Sequence, residues 1–431
     1  MAARSSVGIV LLGLGTVGSG VARALVERSD TYSGRVGARL ELRKVLVRNV
    51  SAERAFMPDR SLITADPEEA FATDCDIVVE VMGGETPARD YIERSLKKGR
   101  WVVTGNKEVM AKHGPELLAM ATAGGCDILY EASVGGGIPI VSPRKRDLSA
   151  NQIHSLRAII NGTTNYMLTR MSREGADFGE ALKSAQELGY AEADPTNDVE
   201  GYDAAYKLAI LSSLAFHSHV RPEDIYREGI TNLTPRDFRY AAELGYAIKL
   251  LAIGRADADG IQVRVHPALV PADELLANVD GALNAVQVEG DLVGRVLFQG
   301  AGAGSLPTTS AVMADVLDAA RSIVLESRPS PWRYTADMPM KPMSDLSTRY
   351  YIRVEVADQP GVLAGIARAC GDNGVSIASV IQKETDDEAQ SAELVIVTHV
   401  ARESAVQASL AQIKALTGEV RNVGAVLRVE D

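Results

Sequence analysis

The stretch Val7-Gly8-Ile9-Val10-Leu11-Leu12-Gly13-Leu14-Gly15-Thr16-Val17-Gly18, continued by Ser19–Leu25, decides the fold of the N-terminal part of the chain. Residues 7–12 form a continuous apolar run, as expected of a strand buried on both faces. Gly13, Gly15 and Gly18 then match G-x-G-x-x-G, and Val17, Val21 and Leu25 recur at helical spacing. A glycine turn between a buried strand and an amphipathic helix is the context this motif needs to bind a dinucleotide. The first glycine allows the tight turn, the second lets the backbone approach the pyrophosphate, and the third permits helix and strand to pack closely. The helix N-terminus adds amide donors and a positive dipole end. Gly13, Leu14, Gly15, Thr16, Val17 and Gly18 are therefore candidate cofactor residues.

Working outward, Leu40–Val47, Ile77–Met82 and Trp101–Thr104 read as further strands. Thr86-Pro87 is expected to open a helix, with Thr as N-cap and Pro in the first turn, and Gly99 to stop it. Strands alternating with helices imply an α/β fold, a doubly wound, mostly parallel Rossmann sheet. An NAD site usually carries an acidic residue at the end of the second strand. Here that strand ends Val47-Arg48-Asn49, with Arg54 near. Arg48 suits a 2′-phosphate, which favours NADP over NAD; the plainer alternative is a solvated surface arginine.

After about residue 131 the character changes. Ile153–Ile160, Ile261–Leu269 and Ala285–Phe298 look like strands, the last broken by turn chemistry at Glu289-Gly290-Asp291. Helices are expected at 179–188, 202–217, 236–253 and 308–323, making an α+β region suited to substrate binding. Residues 328–347 carry four prolines and few periodic apolar positions, a linker signature. Beyond them the order strand, helix, strand, strand, helix, strand (350–356, 360–372, 375–382, 391–399, 402–416, 424–430) implies a ferredoxin-like domain. The expected division is residues 1–131 plus about 305–327 for the dinucleotide, 132–304 for the substrate, a linker at 328–348 and a C-terminal domain at 349–431.

Composition sets outer bounds. A chain of 431 residues is too long for one core. Its net charge of −12, with no basic stretch, argues against nucleic acid as a partner. Cys75, Cys126 and Cys370 lie far apart without metal-ligand spacing, so reduced thiols are expected. The N-terminal apolar run is too short to span a bilayer and lacks a cleavage-site pattern; no later stretch qualifies, so a cytoplasmic protein without membrane contact is expected.

The densest chemical signal is Gly189-Tyr190-Ala191-Glu192-Ala193-Asp194-Pro195, followed by Asp198, Glu200, Asp203 and Lys207. Asp203 and Lys207 are one helical turn apart. Such spacing is usually a surface ion pair, but here the helix continues as Leu208-Ala209-Ile210-Leu211, and a loop bearing Glu192 precedes it. Two carboxylates and an ammonium could therefore share a pocket. Lys107, in Thr104-Gly105-Asn106-Lys107, follows a strand at the edge where α/β sheets bind ligands.

TGNK at 104–107, YEASVGGGIPI at 130–140, NGTTNYML at 161–168, ELGYAEADPTNDVEGYDAAYKLAIL at 187–211 and GAGAGSLPTTSAV at 300–312 resemble, in order, the signature blocks of homoserine dehydrogenases. The resemblance covers about residues 7–325 and implies reversible reduction of L-aspartate 4-semialdehyde to L-homoserine by NAD(P)H. It implies that Lys207 and Lys107 lie near the reacting carbonyl, Lys207 being the better candidate for general acid/base work. Glu192, Asp203, Gly189 and Tyr190 are then substrate residues, with Thr104, Lys107, Gly189 and Gly304 also at the cofactor. Glu131 and the carbonyls of Val134, Gly136 and Ile138 are similar to the family's monovalent-cation loop, implying sodium. A glycine-rich hinge is the alternative. Gly105, where the family usually has alanine, and Thr309 depart from the common pattern without removing a charged group.

Asp358-Gln359-Pro360-Gly361, followed by Gly374-Val375-Ser376-Ile377, resembles an ACT domain. That resemblance implies an amino-acid effector, with L-threonine the expected feedback inhibitor; an ACT domain serving only oligomerisation is the alternative. A homodimer or homotetramer, with its interface in the α+β domain, is likewise implied. Two competing readings are a 3-phosphoglycerate-type ACT-bearing dehydrogenase and a cofactor-bound sensor without turnover. The first needs a histidine relay, whereas His217 and His219 sit late on an apolar helix. The second has no use for a proton donor beside the nicotinamide.

Overall fold

The computed structural model describes residues 4–327, 332, 334–386 and 390–430. The chain begins β1 (Ser6–Leu12), α1 (Thr16–Glu27), α2 (Ser29–Val36), β2 (Arg39–Leu46), β3 (Ile63–Thr64), α3 (Pro67–Ala72), β4 (Ile77–Glu80), α4 (Ala88–Lys97), β5 (Trp101–Thr104), α5 (Lys107–Ala123), β6 (Ile128–Leu129) and α6 (Val141–Lys145). It continues β7 (Ile153–Ile159), α7 (Gly162–Glu174), α8 (Phe178–Glu187), α9 (Thr196–Val199), α10 (Tyr202–Phe216), β8 (Tyr226–Arg227), α11 (Pro235–Glu243), β9 (Tyr246–Asp257), β10 (Gly260–Pro271), β11 (Leu283–Gly290), β12 (Gly294–Ala301) and α12 (Ser305–Val324). It ends β13 (Ser347–Thr348), β14 (Tyr350–Ala357), α13 (Val362–Asp372), β15 (Ile377–Asp386), β16 (Ser391–Thr398), β17 (Ala401–Arg402), α14 (Glu403–Ala415) and β18 (Val420–Val429). These elements fall into two compact units. One comprises Met1–Leu156, Tyr206–Glu223 and Asn284–Asp337, the other Arg157–Ala205, Asp224–Leu283 and Met338–Asp431.

The first unit is built on a parallel six-stranded sheet of order β3-β2-β1-β4-β5-β6. Residues Val7–Leu12 of the central β1 are all buried, which is why that strand reads as an uninterrupted apolar run. The chain reverses direction across the sheet between β1 and β4, and such a switch point opens a crevice at the strands' carboxyl ends. Helix α12 packs on α1, β4 and β5. At Gly20 of α1 a Cβ would lie 2.1 Å from the Thr309 hydroxyl, so the two helices meet there because Gly20 has no side chain. The helix expected to open at Thr86-Pro87 starts one residue later. Pro87 occupies the N-cap position itself, and no side chain caps α4.

In the second unit, β9 and β10 form a hairpin paired over its full length. This corrects the helix expected at 236–253. Helix α11 stops at Glu243, Gly245 follows at φ +83°, and Tyr246 begins a strand. Ile248–Gly254 of β9 are all buried, so its apolar run lacks the alternation that marks a strand. The C-terminal βαββαβ segment folds as expected, with strand order β18-β14-β16-β15. Tyr350, Ile352, Val354 and Val356 of β14 face a core that includes Ile366 of α13 and Val406, Leu410 and Ile413 of α14. The intervening Tyr351 and Arg353 turn to the other face, where both reach Asp237 of α11. The expected linker lies partly outside the described residues. Its described remainder holds a short 3-10 turn at Met343–Asp345 and the two-residue strand β13.

Cys75, Cys126 and Cys370 are buried free thiols. Among the described residues, no helix is long and apolar enough to cross a membrane.

Candidate functional site

The glycine turn has the geometry its sequence demands. Gly13 adopts φ +101°, and a Cβ there would meet the Val81 carbonyl oxygen at 2.9 Å. A Cβ on Gly18 would sit 2.2 Å from the Gly13 carbonyl oxygen, whereas one on Gly15 would meet nothing within 4 Å. Gly15 is the N-cap of α1 and offers no side-chain cap, which leaves first-turn amides for a ligand. Beside it lies a cavity of about 550 Å³, bordered by Gly13–Gly15, Leu46–Asn49, Val81–Gly83 and Tyr91. An open glycine edge, an uncapped helix start and an adjacent cavity fit a dinucleotide pyrophosphate and its adenosine. Arg48 is exposed on the cavity wall, while Arg54 donates to the carbonyls of Ala52 (2.7 Å) and Asn49 (2.5 Å) and so braces the loop between them.

We expect Gly18→Ala to weaken NADPH binding by at least about tenfold, because the obstructing atom is backbone and cannot rotate away. Fluorescence titration reads this directly, and wild-type affinity in the variant would show that the turn tolerates a side chain.

Helix α12 reaches the same turn from its own N-terminus. Gly304 caps it at φ +123°, Ser305 Oγ donates to the Thr16 carbonyl at 3.2 Å, and Thr309 Oγ1 to that of Val17 at 3.5 Å. Gly304 is thereby held against the Gly13–Gly18 turn. Thr309, a departure from the common pattern, is the residue seated on Gly20.

The next two loops along the sheet are organised by Glu80, a residue the sequence reading missed. It ends β4, fully buried, and accepts hydrogen bonds from Met82 N (2.7 Å) and Thr104 Oγ1 (2.6 Å). Burial pushes its carboxyl up, against the pull of these donors. Thr104 Oγ1 also accepts from Asn106 N (3.0 Å). Asn106 caps α5 through Val109 N and donates from Nδ2 to the Gly84 carbonyl (2.7 Å). Lys107 thus starts a helix whose entry is fixed by a buried network. An alanine at position 105 would make ordinary contacts with Ala132, its methyl at 3.4 Å and its carbonyl oxygen at 3.7 Å, so the glycine there is not a steric necessity.

Glu131 has a local task beside the one its resemblance implies. Its carboxylate accepts three backbone N–H bonds, from Ile140 (2.7 Å), Val141 (2.8 Å) and Ser142 (2.7 Å), at the start of α6. Its own N–H donates to Asp315 Oδ2 at 2.8 Å. Burial holds the Asp315 carboxyl well above the ordinary range, and burial lowers the neighbouring Lys145 ammonium, which lies 4.3 Å from the Tyr130 ring. The loop carrying Val134, Gly136 and Ile138 packs tightly on residues 301–303. Gly137 N donates to the Ala301 carbonyl (2.9 Å), and a Cβ on Gly136 would strike the Gly302 carbonyl oxygen at 2.3 Å. Beside Gly302 lies the side chain of Asn284, fully buried, with neither amide atom hydrogen-bonded to a described residue. Among the described residues no cluster of His, Cys, Asp and Glu has metal-holding geometry.

In the second unit Asn161 assembles the acidic block. It caps α7, accepting from Thr164 N (2.8 Å), and its Nδ2 donates to Asp198 Oδ1 (2.7 Å) and Asp203 Oδ2 (2.9 Å). Asp203 is buried in the first turn of α10; Lys207 follows one turn later on the same helix. Thr163 Oγ1 donates to the Tyr190 carbonyl at 2.7 Å, which ties the Gly189-Tyr190 turn to α7, and Gly189 adopts φ +75°. Tyr190 packs on Tyr166 with ring centroids 5.1 Å apart. Glu192 is exposed on the same loop, its carbonyl held by Gln186. Asp194 is occupied locally: its Oδ1 accepts from the Thr196 hydroxyl (2.6 Å) and amide (3.1 Å), which lower its pKa. The block that reads as one acidic run is therefore divided, Asp198 and Asp203 sharing one buried amide while Glu192 and Asp194 face outward.

His217 stacks on Trp332 with centroids 4.5 Å apart and contacts Arg144 at 3.0 Å, a packing arrangement.

Comparison with known proteins matches this architecture. Family models for "Homoserine dehydrogenase, NAD binding domain" and "Homoserine dehydrogenase" match residues 13–131 and 139–317, and the ACT-domain model matches 350–418. A curated homoserine dehydrogenase of Mycobacterium tuberculosis is 46% identical over 434 aligned residues, covering 98% of both chains. The crystal structure of a homoserine dehydrogenase from Thiobacillus denitrificans superposes with a TM-score of 0.92 at 43% identity, covering all of both chains. A hyperthermophilic archaeal homoserine dehydrogenase in complex with NADPH superposes at 0.64 with 26% identity, over 76% of this chain and all of that one. With its glycine turn, its Asn161-centred acidic block and its C-terminal ACT domain, the chain belongs to the homoserine dehydrogenase family of oxidoreductases.

Proposed function

We propose that the chain catalyses the reversible reduction of L-aspartate 4-semialdehyde to L-homoserine, on the way to threonine, methionine and isoleucine. The observation that carries this reading is the buried Asp203, joined to Asp198 by Asn161 and one helical turn before Lys207. The buried carboxylate, with Glu192 on the adjoining loop, suits the substrate's α-ammonium group, and the Gly189-Tyr190 turn forms a wall beside it. The bound dinucleotide supplies the hydride. Lys207 then donates a proton to the oxygen on which charge develops, and Lys107 stabilises that charge. Following NADPH absorbance with aspartate semialdehyde tests the assignment; absence of turnover removes it.

NADP is the preferred cofactor on this reading, with NAD the weaker one, because Arg48 stands on the cavity wall with no described partner. The expected result of Arg48→Ala is a loss of about tenfold in NADPH affinity with little change for NADH, one charge-assisted contact's worth. Equal losses for both nucleotides would count against it.

A monovalent cation, sodium, is proposed at the loop Glu131–Ile138. The proposed ligands are Glu131 and the carbonyls of Val134, Gly136 and Ile138, and the three N–H bonds to the Glu131 carboxylate help to hold the loop that presents them. The fully buried, unpartnered Asn284 amide beside that loop suits a polar occupant nearby. The ACT domain is proposed to mediate feedback inhibition by L-threonine. The protein is further proposed to act in the cytoplasm as a homodimer or homotetramer, without nucleic-acid or membrane partners.

A further inference from the structure

Glu80 closes β4, in register with Leu12 of β1 on one side and with Thr104 of β5 on the other. Leu12 leads into the glycine turn and Thr104 into the start of α5, so one carboxyl group stands between the two loops. Its side chain is fully buried. A carboxylate at the end of an apolar strand costs desolvation that a valine would avoid, and it is tolerable only where donors surround it. Met82 N reaches one oxygen and Thr104 Oγ1 the other, and the Gly83 amide and the Asn106 side chain add to them.

On the cofactor side these bonds fix Val81–Gly83. A Cβ on Gly13 would lie 2.9 Å from the Val81 carbonyl oxygen and 3.2 Å from the Met82 side chain, so this segment seats against the first glycine of the turn. It also borders the dinucleotide cavity. On the other side, Gly105 N donates to the Glu80 carbonyl at 3.2 Å, and Thr104 Oγ1, held by the carboxylate, accepts from Asn106 N at 3.0 Å. Asn106 caps α5 and bonds the Gly84 carbonyl, and Lys107 is the first residue of that helix. A second acid, Glu85, pins the same loop further along α5, 2.8 Å from both Lys112 Nζ and His113 Nε2. The Lys112 ammonium sits 5.7 Å from the ring of Tyr206, the residue before Lys207.

Lys107 carries its charge on a long, flexible side chain, so the fold can set its position only through the backbone from which it springs. A group displaced by about 1 Å from the reacting atoms can cost about 10²-fold in rate. The carboxylate that frames the cofactor loop also frames the start of this helix, and so fixes the distance between them.

We propose that Glu80 is a positioning residue for the reduction, acting through Thr104 and Asn106 on Lys107. The inference rests on the reading that Lys107 stabilises the developing charge, and adds the group that fixes where that lysine stands.

The test compares Glu80→Gln, Thr104→Val and Thr104→Ser in the full chain, each alone and combined with Lys107→Ala. An amide oxygen can accept in one place only, so Glu80→Gln loses either the Met82 or the Thr104 bond. Thr104→Val removes the arm toward α5 and leaves the Met82 bond in place. With aspartate semialdehyde, kcat should fall about 10- to 100-fold in both, while NADPH affinity of Thr104→Val stays within about threefold of wild type. Thr104→Ser restores the hydroxyl and should return kcat to within about threefold. In the Lys107→Ala background, Glu80→Gln or Thr104→Val should cost less than about twofold more, because the group they misplace is gone. Losses that multiply in full in that background, or a Thr104→Ser variant as slow as Thr104→Val, would reduce Glu80 to a purely structural role and overturn the proposal. Wild-type kcat in Glu80→Gln and Thr104→Val beside a slow Lys107→Ala would overturn it and leave the role of Lys107 standing. Wild-type kcat in Lys107→Ala would remove that role and the proposal with it.

Discussion

Replacing Lys207 with alanine is expected to lower kcat by about 10³-fold while NADPH affinity changes by less than about twofold. The size follows from the proposed chemistry. Hydride addition to an aldehyde carbon leaves full negative charge on oxygen unless a proton arrives as it forms, and a positioned acid contributes about 10²–10⁴-fold to such a step. The helix α10 that carries Lys207 is held at its start by Asp203, whose carboxylate is buried and bonded to Asn161, so the lysine's backbone is anchored independently of its own ammonium. Truncating the side chain should therefore remove proton donation without unfolding the segment. The glycine turn is built from other residues, so nucleotide binding should survive. Lys207→Arg separates charge from proton transfer: the guanidinium keeps the positive charge but does not release a proton near neutral pH, so it should recover only about tenfold of the loss. Steady-state kinetics with aspartate semialdehyde and a fluorescence titration with NADPH measure the two halves. Retained kcat in the alanine variant removes the role assigned to Lys207.

What the sequence discloses of this molecule is what its local chemistry enforces. Gly13 and Gly18 are legible because a side chain at either would strike backbone within a few residues or one strand away. The ACT domain is legible from its strand–helix order and its Asp358-Gln359-Pro360-Gly361 turn, and in the structure β14 alternates between its core and its outer face. Strand β9 is not, since burial on both faces erases the alternation and leaves a run that suits either a helix or a strand. The same limit applies to side chains whose partners are remote in sequence. Asn161 looks like an ordinary helix cap, and it is one, but its amide also joins carboxylates 37 and 42 residues downstream. Glu80 reads as the polar end of an apolar strand, although both its oxygens hold the loops that follow β4 and β5. At Glu131 family resemblance suggests a ligand, while the geometry gives the carboxylate three amide donors. Composition and spacing record which groups are present. They do not record how nonlocal pairing distributes them.

The second large effect is expected on stability: Asp237→Ala should destabilise the second unit by about 3–5 kcal/mol. Asp237 is fully buried near the start of α11, where its Oδ2 accepts from Thr234 N (2.9 Å) and Thr234 Oγ1 (2.8 Å). Arg353 of β14 reaches it with two bonds, Nε to Oδ1 at 2.6 Å and a terminal nitrogen to Oδ2 at 3.1 Å, and the Tyr351 hydroxyl adds a longer contact at 3.4 Å. The same guanidinium binds Glu393 at 2.9 Å, and Glu393 accepts from the Tyr240 hydroxyl at 2.6 Å. One carboxylate thus joins the ACT sheet to α11. Its removal leaves a buried guanidinium with a single counter-charge and removes a helix cap at the same time, and the first of these costs more than the pair's net contribution. Asp237→Asn keeps the shape and part of the cap, and should lose less. Arg353→Met combined with Asp237→Leu removes the desolvated charge altogether and should recover part of the deficit, short of the cap. The pH dependence has a definite sign. Burial alone would raise the Glu393 carboxyl, but Tyr240 and Arg353 hold it below its ordinary value. Its contribution is therefore present above the unfolded pKa of about 4.3 and is lost as pH falls through the lower folded value. Urea unfolding of the full chain at neutral pH and across that acid range measures both effects. An Asp237→Ala variant within about 0.5 kcal/mol of wild type, the scatter of ordinary surface substitutions, would mean that the ion network contributes no net stability to this junction.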